Sequence, residues 1–269
     1  ITAAVVKLSP RPTAYATAMV ATADLSAALT LLQSMQAATG NAVEAFEFMP
    51  RGYIEGHLAL HPEAREPFDA PYDVNVLIEV GVTAPRDATP LPDGSLPIVT
   101  LLEATLAEMM ETDQVRDAVV AQNETQRREM WARREAAAEI AFGKKPYIDT
   151  DVAVPLPKVA VFLSAMTQRL AKIDPKATEL VVAHLGDGNI HYTAYPSSSD
   201  KSLEEAIKQA VEDEVQNLNG SFSAEHGVGL AKLSSMKRRK DPVALATMKA
   251  IKQALDPKGI LNPGKMYPD

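Results

Sequence analysis

Cysteine is absent from all 269 residues, which removes disulfides, thiolate metal ligation, iron–sulfur clusters and cysteine nucleophiles together. Any metal ion held by this chain therefore takes histidine, carboxylate or carbonyl donors. No run approaches the roughly 20 consecutive apolar residues of a membrane-crossing helix. The opening I-T-A-A-V-V-K has neither the basic head nor the apolar run of a secretory signal, so the sequence reads as cytoplasmic. Because it starts at Ile1 and not Met, a fragment or a processed product is expected. Basic residues fall short of acidic ones, 27 against 35, for a formal net charge of −8. That is the wrong sign for neutralising phosphates along a strand, so no nucleic acid partner is expected. The motifs G-x-x-x-x-G-K-[ST], H-E-x-x-H and G-x-S-x-G are also missing, which takes away the basis for phosphate-loop, zincin and serine-hydrolase chemistry. With 46% hydrophobic and 23% charged residues, the composition is that of a globular protein with a real core.

What is present reads as alternating strands and helices. After the proline-rich turn at 9–12, residues 14–21 suit an opening strand. Leu25, Leu29, Leu32 and Met35 recur at helical spacing, with Asp24 or Thr22 as cap and Gly40 past the end. Val43, Ala45 and Phe46-Glu47-Phe48 suit a strand, 51–60 a helix, and the β-branched run Val74 to Val80 a buried strand. Residues 83–97 read as loop. A second series follows: a helix over 98–110, a strand over 115–120, a helix-rich stretch over 124–141, and a helix opened by Pro155 and Pro157. Strands at 178–183 and 190–195 come next, then a helix entered by the capping box Ser202-x-x-Glu205. The last helix starts at Asp241-Pro242 and carries Leu245, Met248, Ile251 and Leu255 as its stripe. The pattern predicts an α+β fold with an antiparallel-rich sheet or sheets covered by helices, compatible with a duplicated ferredoxin-like unit. Arg127, Arg128, Arg133 and Arg134 read as a solvated face paired with Glu129 and Glu135.

Three of the five histidines fall between positions 184 and 226. The segment His184-Leu185-Gly186-Asp187-Gly188-Asn189-Ile190-His191 lies between strand-like stretches, and Asp-Gly is a strong tight-hairpin signal. With Asp187 and Gly188 as a primed turn, Gly186 faces Asn189, Leu185 faces Ile190, and His184 faces His191 with Cβ atoms about 4.5–5.5 Å apart. Two neutral imidazoles so placed can reach one divalent ion at about 2.0–2.1 Å. Equally, they can be half-buried histidines stacked across a ribbon. A second segment, 220–229, sets Glu225 beside His226 between glycines. Glu225 would complete a His–His–carboxylate set with positions open for substrate, and His226 could be a base. By spacing alone, a metal site and a structural Glu–His pair both stay open. Gly186-x-Gly188 is no dinucleotide loop, because His191 and a strand follow where glycine and a helix are required.

H-L-G-D-G-N-I-H at 184–191, S-A-E-H-G-V-G at 223–229 and L-D-P-K-G-I-L-N-P-G-K at 255–265 together resemble the C-terminal domain of FAD-linked oxidases. That family includes D-lactate dehydrogenases, D-2-hydroxyglutarate dehydrogenases and the glycolate oxidase flavoprotein subunit. The resemblance runs along the whole chain. Residues 1–12 look like the closing strand of a missing FAD-binding domain and its connector, and 13–269 like a substrate- and metal-binding domain with a C-terminal flavin-contacting segment. It implies FAD bound mostly by the other domain, a zinc or manganese ion on His184, His191 and Glu225, and His226 as the general base. Met130-Trp131-x-x-Arg134-Glu135 matches the family segment whose arginine pairs with the substrate carboxylate, a task suited to a planar fork. Asn189 is the second substrate-binding candidate, and Asn262 resembles the residue near the flavin. The implied reaction oxidises a D-2-hydroxy acid to a 2-oxo acid by hydride transfer to FAD. Electrons would pass on to an electron-transfer flavoprotein, quinone or cytochrome, and a homo-oligomer is compatible with this reading. Two positions depart from the 2-hydroxyglutarate enzymes: Asp149 stands where they carry lysine and Ala138 where they carry threonine. An acid at 149 would repel a distal carboxylate, so a lactate- or glycolate-like monocarboxylate is expected. The alternatives are a stand-alone binding or subunit-interaction module without catalysis, and an ether-lipid synthase of the same superfamily, which lacks the His–His–Glu set.

Overall fold

The computed structural model describes residues 2–268; Ile1, at the head of the expected closing strand, lies outside them. Residues 2–12 form no strand or helix, and Val5, Val6 and Leu8 are exposed. Beyond them the chain folds as two compact units that meet between Ala138 and Glu139.

The first unit runs β1 (Ala14–Thr22), α1 (Leu25–Thr39), β2 (Val43–Pro50), α2 (Arg51–Leu60), β3 (Val74–Val82), α3 (Pro85–Ala88), α4 (Pro97–Glu111), β4 (Val115–Val120) and α5 (Glu124–Glu135). Helix α3 lies inside the stretch expected to be loop. Helix α1 starts where the Asp24 carboxylate accepts the Ala27 amide and ends at Gly40 with φ 63°, the left-handed residue that glycine adopts without penalty. It buries Ala28, Leu31, Leu32 and Met35, one face of a 3.6-residue period. The strand order is β4-β1-β3-β2, and each of these neighbouring pairs is antiparallel. With α2 and α3 as insertions, this is the strand–helix–strand–strand–helix–strand order of a ferredoxin-like unit. Of the α5 arginines only Arg128 stands on the expected solvated face, paired with Glu124; Arg133 and Arg134 are buried and Arg127 turns inward. Glu79 on β3 and Glu47 on β2 are 3% and 6% exposed, and a buried carboxylate requires charged or hydrogen-bonding partners. Arg127 and Trp131 therefore reach Glu79, and Arg134 reaches Glu47.

The second unit follows from α6 (Ala137–Phe142), whose first turn straddles the boundary. It contains β5 (Ile148–Ala153), α7 (Val159–Ile173) behind a 3-10 turn, β6 (Thr178–His184), β7 (Asn189–Tyr195), α8 (Lys201–Asn217), α9 (Leu233–Arg239) and α10 (Pro242–Leu255). Its strands are ordered β6-β7-β5, antiparallel throughout, and Ser221 makes a single antiparallel bridge to Ala153 on the free side of β5. The bridge occupies the place of the fourth strand in the same ferredoxin-like order, so the second unit repeats the topology of the first. Asp200, and not Ser202, caps α8 by accepting the Ser202 amide. Helix α10 starts at Asp241 as expected, but none of its residues is buried, and Val243, Ile251 and Leu255 are exposed. No helix among the described residues is long and apolar enough to cross a membrane.

Candidate active site

The hairpin that carries the two histidines differs in register from the tight turn. His184 pairs with Asn189, and His191 with Val182, so the loop spans four residues instead of two. Either primed turn needs positive φ at its first central residue, and of the pair only Gly188, the second, has it, at 81°. Instead, Asp187 accepts the Asn189 amide at 3.0 Å while the His184 carbonyl accepts from Asp187 and Gly188. Gly188 is required here, because a Cβ would lie 2.2 Å from the Val154 carbonyl oxygen. The slip is by two residues, and side-chain direction in a strand has period two. His184 and His191 thus remain on one face, as diagonal neighbours with ring centroids 5.3 Å apart.

On that face the rows continue into β5. Asp151 lies opposite His191, Ala153 opposite Asn189 and Asp149 opposite Thr193. Strand β5 was not expected, because Asp149, Thr150 and Asp151 interrupt the apolar pattern that marks a buried strand. The loop after α8 passes close beside it: a Cβ on Gly220 would lie 2.2 Å from the Ala153 carbonyl oxygen. Residues 223–226 then come under Asp151. Glu225 Oε1 is 3.3 Å from His191 Nε2, 3.5 Å from His226 Nε2 and 3.7 Å from His184 Nε2. His191 and His226 stack with centroids 5.4 Å apart. One ligand-type atom from each of Asp151, His191, Glu225 and His226 lies within 4.8 Å of the others. Side-chain exposure rises from 2% at Asp151 and 19% at His191 to 49% at Glu225 and 55% at His226, so the cluster opens to solvent on its loop side. Burial pushes the Asp151 carboxyl up, but the His226 amide and the Lys232 ammonium outweigh it and hold the group below the usual aspartate range.

The structure therefore brings His184, His191, Glu225 and His226 together and adds Asp151 and Lys232, which local motifs could not reveal. Asn189 sits on the same face, 4% exposed, and its Oδ1 is buried without a partner among the described residues. A buried oxygen of this kind calls for a ligand or water. Imidazole nitrogen with carboxylate oxygen suits zinc or manganese, so donor chemistry and the orphaned oxygen both fit a divalent cation. Arg134 belongs to the first unit, with Nε 2.7 Å from Glu47 Oε2. Its neighbour Arg133, 9% exposed, donates to the Arg65 carbonyl and has an Nε without a partner among the described residues. Asn262 lies in the terminal turn with φ 47°. Asp256 holds the approach to that turn by accepting the Ile260 and Leu261 amides and pairing with Lys252.

Two ferredoxin-like units, the second bearing a histidine–carboxylate cluster, define an α+β fold. The chain belongs to the family of FAD linked oxidases, C-terminal domain, which it matches over residues 11–266. A D-2-hydroxyglutarate dehydrogenase from Stutzerimonas stutzeri is 34% identical over 169 residues, covering 61% of this chain and 36% of that protein. The mitochondrial D-2-hydroxyglutarate dehydrogenase of Bos taurus is 31% identical, covering 100% of this chain and 47% of that protein. The chain thus spans about half, or less, of the length of these relatives. Among solved structures, p-cresol methylhydroxylase with substrate bound superposes with a TM-score of 0.59 at 12% identity, over 95% of this chain and 53% of that one. A 4-ethylphenol oxidase from Gulosibacter chungangensis gives 0.55 at 14%, over 98% and 56%. At such identities the likeness carries the fold alone.

Proposed function

We propose that this chain is the substrate- and metal-binding part of a flavin-dependent dehydrogenase that oxidises a D-2-hydroxy acid to the 2-oxo acid. The observation that carries the reading is the convergence of three imidazoles on one Glu225 oxygen, in a chain of the FAD-linked oxidase family. His184, His191 and Glu225 would hold zinc or manganese, and Asn189 would contact the substrate. A divalent ion, when bound, would draw electron density from a chelated hydroxyl and lower its pKa. His226 would accept the hydroxyl proton on Nε2, while its Nδ1 faces Asp151 at 3.9 Å. The chemistry that FAD supplies when bound is acceptance of the hydride that leaves the α-carbon. Arg134 is proposed as the partner of the substrate carboxylate. The onward electron acceptor would be an electron-transfer flavoprotein, quinone or cytochrome.

A separate domain would bind most of the FAD. The relatives' greater length supports this, as do the exposed apolar residues of α10 with Ile260 and Leu261, which offer it a docking surface beside Asn262. The substrate is proposed to be a monocarboxylate, because Asp149 adds a negative charge two residues along β5 from Asp151, on the same face. The test is equilibrium binding of Zn²⁺ and Mn²⁺ to the chain, followed by D-2-hydroxy acid oxidation in the FAD-containing enzyme. One ion per chain, lost on His191→Ala or Glu225→Ala, is expected. A wild-type chain that binds neither ion would sink the reading.

A further inference from the structure

Asp151 is the most buried member of the cluster, with 2% of its side chain exposed; its Oδ2 is already engaged, and its Oδ1 has the Glu225 amide at 3.4 Å. Oδ2 accepts the Glu225 amide at 3.1 Å, the His226 amide at 2.9 Å and the Lys232 ammonium at 3.0 Å. The Asp151 backbone carbonyl accepts the Ala224 amide at 3.2 Å. The Glu225 and His226 amides therefore close on the carboxylate as a backbone nest closes on an anion, while the Ala224 amide ties the same residue through its carbonyl. Lys232 binds the same residue twice, at Oδ2 and at the carbonyl oxygen, and also donates to Ser223 Oγ at 3.0 Å. Ser223 Oγ in turn donates to the Gly227 carbonyl at 2.9 Å. On its other side Asp151 is registered opposite His191 by the β5–β7 ladder. The residue thus joins the part of the centre fixed in the sheet to the part carried by a loop whose side chains are mostly exposed.

We propose that Asp151, neutralised by Lys232, is a positioning residue that sets Glu225 and His226 against the sheet histidines, and is not itself a ligand. The proposal rests on the metal-centre reading above, but its mechanical part can be measured without metal. Asp151→Asn keeps the shape and removes the charge. Lys232→Met removes the cation, which cannot itself ligate a metal. Each is expected to weaken Zn²⁺ binding about 10–100-fold, the usual effect of losing a group that orients ligands. In the metal-free chain each should also speed amide hydrogen exchange across 223–227 more than in β6 and β7 peptides, beyond the general loss of stability that breaking a buried ion pair brings. Ser223→Ala, which removes the hydroxyl linking Lys232 to Gly227, should give a smaller shift in the same direction and carries the test if Asp151→Asn fails to fold. Loss of Zn²⁺ affinity in Asp151→Asn alone, with Lys232→Met unaffected, would make Asp151 a direct ligand and overturn the proposal. Unchanged exchange and affinity in all variants would overturn it too. If the wild-type chain binds no divalent ion, the metal reading falls and the exchange data alone decide whether Asp151 orders the loop.

Discussion

His226 and Arg134 are expected to act at different moments, and kinetics can separate them. A general base works only as the proton moves and contributes about 10²–10⁴-fold. In the FAD-containing enzyme, His226→Ala should lower kcat within that range with little change in KM, and steady-state rates on a D-2-hydroxy acid check it. A carboxylate clamp already binds the ground state, so its loss also raises KM. Arg134→Ala is a poor probe, because it would break the ion pair with the buried Glu47. Arg134→Lys keeps the charge but not the fork, and it should raise KM while the protein stays folded. Asp149→Lys replaces repulsion with attraction at a distal carboxylate and should move preference toward a dicarboxylate relative to lactate. Unchanged preference in a folded variant would remove the support for a monocarboxylate. His184, His191, Glu225 and His226 were legible because each sits in a short segment whose chemistry is local. Asp151 and Lys232 were not, since their roles exist only once 151, 223–226 and 232 are folded together.

Most helices and strands were legible from periodicity, but β5 was hidden because the polar residues of the candidate site break its apolar run. The hairpin shows how a wrong register can leave the right face. Asp-Gly suggested a two-residue turn, the Asp187 carboxylate and the approach to Val154 favour four, and the difference of two preserves every side-chain direction. Deleting one residue between 185 and 188 should slip β7 by one, turn His191 away and abolish metal binding in the chain, measured by Zn²⁺ titration. Element α5 is held to the first sheet by Glu79, which accepts from Thr17, Arg127 and Trp131. Burial pushes the Glu79 carboxyl up, but those donors outweigh it and hold it below the usual glutamate range. A carboxyl lowered in the folded state contributes stability that is present above its unfolded pKa, about 4.3, and is lost as pH falls through the lower folded value. Glu79→Gln should destabilise the protein by about 3 kcal/mol near neutral pH, because it leaves Arg127 without its buried partner. That difference should shrink in chemical denaturation below about pH 4.

At the scale of the whole molecule, the α+β class and the antiparallel sheets were legible, and the paired ferredoxin-like topology emerges only from the ladders, because the two halves share no visible repeat. The missing stripe partner of α10 is a feature that periodicity cannot report: an apolar row says what a helix would bury, not whether the same domain supplies the cover. A polypeptide of these 269 residues purified alone should show no stoichiometric flavin absorption, and co-expression with a FAD-binding domain should restore it. Ile251→Lys with Leu255→Lys should change the chain's own stability by only about 0.5 kcal/mol, as exposed substitutions do, yet weaken that association. The two units also differ in one telling place. The first closes its sheet with the full strand β4, whereas the second has only the Ala153–Ser221 bridge before the chain leaves the sheet and delivers Glu225 and His226. The shared topology thus serves two ends: the first unit completes its sheet, and the second, one strand short, leaves its loop free to bring an acid and an imidazole against the strand histidines.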